Sequence, residues 1–121
     1  MITGTVSRRH AFVNLVVRGP QGHSAETEFV IDTGFTGVLT LPPDACAALH
    51  LHFARYQPAG LADGSQVMLD VYEATLLWDG EERLVEVLAM DSAPLIGMTA
   101  LEGFDVRLQV VENGLVTIEP L

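Results

Sequence analysis

"FVIDTGFTGVLTLP", residues 29–42, sets a single acidic residue, Asp32, between two apolar runs. Phe29, Val30 and Ile31 lead into it; Val38, Leu39 and Leu41 follow. A carboxylate at the end of an apolar strand is partly desolvated, which is costly without hydrogen-bond partners. The intervening residues supply them. Thr33 brings a hydroxyl, and Gly34 lets backbone turn sharply or approach closely, so that nearby N–H groups reach the carboxylate. Asp-Thr-Gly by itself is also ordinary turn chemistry, so the meaning of Asp32 depends on the rest of the chain.

The dominant period around this stretch is two. In "AFVNLVVRG", Ala11, Val13, Leu15 and Val17 share one strand face. In "AETEFVIDT", Thr27, Phe29 and Ile31 face one way and Glu26 and Glu28 the other, as in a half-buried strand. "GPQGH" between them is a turn cluster. Asp63-Gly64, Asp79-Gly80 and Asn113-Gly114 each separate strand-like runs and suit the positive φ angles of two-residue hairpins. A mainly antiparallel β protein is expected. "PPDACAALHL", 42–51, predicts a helix of two to three turns with proline in its first turn. "MTALEGF", 98–104, predicts one helical turn stopped at Gly103. No repeat, linker or low-complexity segment interrupts the chain, so one domain over 1–121 is expected.

The bulk numbers agree. A chain of 121 residues that is 49% hydrophobic and 18% charged is globular in composition. Part of that apolar content is available to cover a subunit interface. Sixteen acids against six bases give a formal charge of −10. Phosphate binding needs clustered Lys and Arg, so nucleic acid is not expected as a partner. No run approaches the roughly 20 apolar residues of a spanning helix. The N-terminus lacks the order of a signal peptide, and one cysteine excludes an internal disulfide. The expectation is a soluble cytoplasmic protein with no membrane partner.

Set in that context, "VIDTG" followed by "VLTL" resembles the active-site motif of the single-domain, retropepsin-like aspartic peptidases. A second motif supports the resemblance. In "PLIGMTALEGFDVRL", 94–108, Leu95, Ile96 and Gly97 match the apolar pair and glycine that open a short helix behind the active-site loop. Between the two, "GLADGSQVMLDVYEATLLW" looks like a flap hairpin with Asp63-Gly64 at or near its tip. Order and spacing match over nearly the whole chain. The resemblance implies an all-β, retropepsin-like acid-protease fold. That fold is a closed β-barrel or sandwich with a flap hairpin and one or two short helices.

It also implies a partner. The chain carries one Asp-Thr-Gly where larger members carry two, so a working site needs a C2 homodimer in which Asp32 meets its symmetry mate. The dyad would activate a water and hydrolyse a peptide bond of a peptide or protein substrate, with no cofactor and no metal. Asp32, Thr33 and Gly34 form the catalytic motif. Phe35, Val38 and Ile96, with Ala62, Asp63 and Gly64 of the flap, are the expected substrate-binding residues. Two positions depart from the pattern: Phe35 stands where alanine is usual, and Thr36 where an acid often holds substrate backbone. They motivate a second hypothesis, a non-catalytic peptide-binding or assembly module of the same fold.

Other chemistry-bearing residues read as structural. His50 and His52 are two apart, but no third metal ligand lies near them. His10 and His23 sit at turns or strand ends. Cys46 lies among alanines and reads as a small buried side chain. Trp78 reads as packing.

Overall fold

The computed structural model describes residues 1–121. It comprises β1 (Ile2–Ser7), β2 (His10–Arg18), β3 (Ser24–Ile31), β4 (Leu39–Leu41) and α1 (Pro43–Ala48). These are followed by β5 (His52–Gly60), β6 (Gln66–Trp78), β7 (Glu81–Ala89) and β8 (Leu95–Ile96), then α2 (Met98–Leu101), β9 (Phe104–Leu108) and β10 (Leu115–Pro120). No helix is long and apolar enough to cross a membrane.

The period-two segments form the strands they predict. Ala11, Val13, Leu15 and Val17 are all buried along β2, and Phe29 is buried on β3. The two strands pair antiparallel from Phe12↔Val30 to Arg18↔Ser24. All strands lie in one sheet of order β5-β6-β7-β4-β8-β3-β2-β1-β10-β9. A further pairing of β6 with β2, through Val17↔Leu76 and Arg18↔Thr75, closes the inner strands into a barrel. One hydrophobic core of 23 residues fills the barrel and continues under β1 and β10. The β1, β10 and β9 strands extend the sheet beyond the barrel at one end, and β5 does so at the other.

The pairings around β8 are parallel in two places. Val30↔Leu95 and Ile31↔Ile96 join β3 to β8, and Leu39↔Val87 to Leu41↔Ala89 join β4 to β7. Strand β8 is only two residues long, so its backbone needs further anchors. Val30 N–H donates to Pro94 O, and Leu95 N–H donates to Oγ1 of Thr40, which is fully buried. That bond satisfies the one buried polar side chain of the core.

The turns depart from expectation in instructive ways. Asp79-Gly80 is a two-residue hairpin with φ of 50° and 84°, as its sequence predicts. Asn113-Gly114 is not. It ends a longer loop between β9 and β10, and only Asn113 has positive φ. Gly114 is required for a different reason: a Cβ there would lie 1.8 Å from Gln109 O. The unforeseen hairpin is at Arg8-Arg9, both left-handed at φ 51° and 63°, between β1 and β2. Helix α1 is shorter than the predicted 42–51 span, because His50 turns left-handed at φ 53° and stops it. Helix α2 is a single turn, followed by Gly103 at φ 89°.

Trp78 is buried and edge-on to Phe104, with the Arg83 guanidinium 5.0 Å from its ring centre. His50 and His52 part company: His50 stacks on His23 at 4.5 Å, and His52 lies 3.8 Å from Glu73.

Candidate active site

Asp32 stands where β3 leaves the barrel. Its backbone N–H donates to Ile96 O at 3.0 Å, so the parallel β3–β8 pairing fixes where the strand ends. Its carboxylate Oδ1 accepts the Gly34 N–H at 2.8 Å, and Phe35 N–H donates to Asp32 O at 3.2 Å. The turn therefore wraps around the acid and offers it a backbone donor. Asp32 itself is half-buried, whereas Thr33 and Gly34 are exposed. The exposed edge of the motif is free to face a second molecule.

The remainder of the loop is bolted to α2. Met98 N–H donates to Phe35 O at 2.8 Å, Thr99 N–H to Gly37 O at 3.1 Å, and Gly97 N–H to Val38 O at 2.9 Å. The Thr99 hydroxyl donates to Thr36 O. This close backbone contact needs glycine at both sides. A Cβ on Gly97 would lie 2.4 Å from Gly37 O and 2.6 Å from the Phe35 ring. A Cβ on Gly37 would lie 2.5 Å from the tip of the same ring. Phe35 thus fits because residues 37 and 97 have no side chains.

Beside this loop opens a cleft of about 200 Å³. Phe35 and Val38 line it from the loop, and Thr36 and Thr99 join them. Its far wall is made by Arg55, Gln57 and Glu86. Arg55 and Glu86 form a bidentate ion pair, and a nitrogen of the same guanidinium reaches Gln57 Oε1 at 3.4 Å. That hydrogen bonding holds the Glu86 carboxyl below the usual carboxylate range and raises the Arg55 guanidinium. Motif reading missed these three residues. The available signal was the alternation that places Arg55 and Gln57 on one face of β5, and Glu86 outward between buried Val85 and Val87.

Ile96 does not line the cleft. Its side chain is fully buried in the barrel core, and its contribution to the site is the backbone oxygen that holds Asp32. The expected subsite wall at this position is therefore replaced by a core role. Ala62, Asp63 and Gly64 lie at the exposed tip of the β5–β6 hairpin and are not among the cleft residues. The tip is ordered by Asp63, whose Oδ1 accepts both the N–H and the hydroxyl of Ser65, at 2.8 and 2.5 Å. Leu61 N–H donates to Ser65 O across it. Cys46 is buried and its thiol is pushed up to about 11 by desolvation, so it is not a nucleophile at neutral pH.

No family model matches the sequence, and no curated protein matches it. Solved structures do match the fold. EIAV protease, in complex with an inhibitor, superposes with a TM-score of 0.61 at 15% identity, over 78% of this chain and 88% of that one. A retropepsin-like aspartic protease from Rickettsia conorii gives a TM-score of 0.60 at 16% identity, over 98% of this chain and 90% of that one. The chain has a retropepsin-like fold.

Proposed function

We propose that residues 1–121 form the protomer of a homodimeric aspartic endopeptidase. The observation that carries this reading is Asp32. A half-buried carboxylate is held by the Gly34 N–H at the mouth of a barrel, beside an open cleft, in a fold shared with aspartic proteases. One such acid per chain is half of a dyad, and a two-fold axis beside the exposed Thr33-Gly34 edge supplies the other half.

The chemistry follows from that juxtaposition. Two carboxylates about 3 Å apart do not both ionise, and they share a proton, the behaviour for which aspartic peptidases are the type example. The ionised member takes a proton from a bound water, which attacks the scissile carbonyl. The protonated member polarises that carbonyl and then protonates the leaving nitrogen. Thr33 would fix the two loops across the axis, and Gly34 would leave room for substrate backbone. The β5–β6 hairpin, with Ala62, Asp63 and Gly64 at its tip, would close over the peptide as a flap. Phe35 and Val38 would contact substrate side chains in the cleft.

Asp32→Asn tests the reading. Cleavage of a peptide library is expected to vanish while the melting curve and the mass in solution stay those of the wild type. Unchanged cleavage by this variant overturns the mechanism. A bell-shaped pH profile of kcat/KM, absent from a peptide-binding module, is the second expected signature. The module reading takes its support from Phe35, which fills part of the cleft where a small residue would leave it open. It predicts peptide binding without turnover.

A further inference from the structure

The chain has six basic residues, all arginine. Four of them are engaged. Arg18, Arg55 and Arg107 are in ion pairs with Glu82, Glu86 and Asp105. Arg83 lies over the Trp78 ring and donates to Ala100 O at 3.3 Å. Arg8 and Arg9 are exposed, and neither guanidinium has a carboxylate or an aromatic ring as its partner. In a chain with sixteen acids, these two adjacent cations are left free.

They are also held in place. Both residues are left-handed in the turn between β1 and β2, a conformation that side chains other than glycine adopt at a cost. The β9–β10 loop is laced to this turn. Val6 N–H donates to Gly114 O, and Asn113 N–H donates to Val6 O, both at 2.9 Å. The Glu112 carboxylate accepts the Arg8 backbone N–H at 3.0 Å and the Ser7 hydroxyl at 2.9 Å. Those bonds hold it below the usual carboxylate range and occupy it with neutral donors. Glu28 borders a neighbouring groove together with Arg8 but forms no ion pair with it. Between the two loops lies a groove of about 450 Å³, lined by Val6, Arg8, Arg9, Val110, Val111 and Glu112. Val110 and Val111 are 67% and 65% exposed. None of these residues lines the cleft beside Phe35.

We propose that this groove binds an acidic, apolar peptide segment of a protein partner, with its carboxylates on Arg8 and Arg9 and an aliphatic side chain on Val110 and Val111. A guanidinium fork matches a carboxylate with two parallel hydrogen bonds, and the aliphatic group covers apolar surface that is otherwise in water. The charge of −10 repels an extended polyanion such as nucleic acid or an anionic membrane, whereas a short peptide meets the local pair of cations. The chemistry of the groove is independent of Asp32.

Fluorescence anisotropy on the Asp32→Asn chain, which spares the probe from cleavage, tests this with a labelled hexapeptide alternating glutamate and valine. Peptides with glutamine in place of glutamate, or serine in place of valine, are the controls. Arg8→Asn/Arg9→Gly removes both guanidiniums and installs the dipeptide that a left-handed two-residue turn favours, so its melting temperature should equal or exceed that of the parent. The parent is expected to bind the glutamate–valine peptide about tenfold or more tightly than either control, with affinity falling as salt rises. Arg8→Asn/Arg9→Gly should lose about tenfold or more, and Val111→Ser several-fold. Arg18→Ala/Arg107→Ala removes the same charge away from the groove and should leave binding unaltered. No binding by the parent overturns the proposal, as does binding that survives Arg8→Asn/Arg9→Gly. Equal loss in Arg18→Ala/Arg107→Ala overturns it too, by reducing the effect to net charge. Equally tight binding of an oligothymidylate carrying the same number of charges overturns the peptide as the occupant.

Discussion

Phe35 shows how one substitution propagates through backbone choice. An aromatic ring after Asp-Thr-Gly is accommodated because residues 37 and 97 are both glycine, and the ring covers the places their side chains would occupy. Gly37→Ala puts a methyl against the ring alone, whereas Gly97→Ala also meets a backbone carbonyl. Overpacking of this kind costs about 1–3 kcal/mol. Gly37→Ala is expected to lower thermal stability by that order, and Phe35→Ala is expected to relieve much of the loss in a double-mutant cycle. Gly97→Ala should gain less from the same relief, since Gly37 O stays in the way. Cys46 gives a second residue-scale expectation. With its thiol near 11, alkylation by iodoacetamide at pH 8 should be slow in the folded protein and fast once it is unfolded.

Among the elements, the β5–β6 hairpin carries the clearest pH dependence. Side-chain and backbone hydrogen bonds from Ser65 hold the Asp63 carboxyl below its ordinary range. A depressed folded-state pKa stabilises the tip above the unfolded value, near 4, and that contribution disappears as pH falls through the folded value. NMR titration should find the Asp63 midpoint below that of an unstructured aspartate, and Ser65→Ala should move it upward. Sequence reading placed a turn here from Asp-Gly at a strand break, but the expected two-residue turn is a longer loop over 61–65 in which only Gly64 has positive φ. It found β2 because burial alternates along it, and β3 from the Thr27, Phe29, Ile31 alternation in residue type, of which only Phe29 is buried. It missed the Arg8-Arg9 hairpin because two arginines in left-handed conformation leave no signal in residue type. It misread Asn113-Gly114 because glycine there serves close approach to Gln109 O, not φ. The site was half legible for the same reason. A local motif singles out Asp32, Thr33 and Gly34 as candidates, but Arg55, Gln57 and Glu86 reach the cleft beside Phe35 and Val38 only through pairing of distant strands, and the inward turn of Ile96 depends on the β3–β8 register.

At the scale of the whole molecule, charge opposes assembly. Each chain carries −10, so two chains repel at neutral pH, and the repulsion weakens as carboxylates take up protons. The dimer fraction measured by sedimentation at low salt is therefore expected to rise between pH 7 and pH 5. Under the proposed function, an acidic optimum of cleavage would have two sources, the dyad and the assembly, and normalising rate to dimer concentration separates them.

The closure of the barrel by β6 has a consequence for how the molecule breathes. This strand has thirteen residues. Gln66–Met68 are exposed in the hairpin, while Val71, Ala74, Leu76 and Trp78 are buried in the barrel wall. One continuous strand thus belongs to two regions of different local stability. Its outer amides should exchange with deuterium through small local openings, and its inner amides only when the whole barrel opens. The boundary should fall near Leu69 to Val71, where burial begins. A hairpin that opens often on so firm a root moves without loosening the wall that carries it.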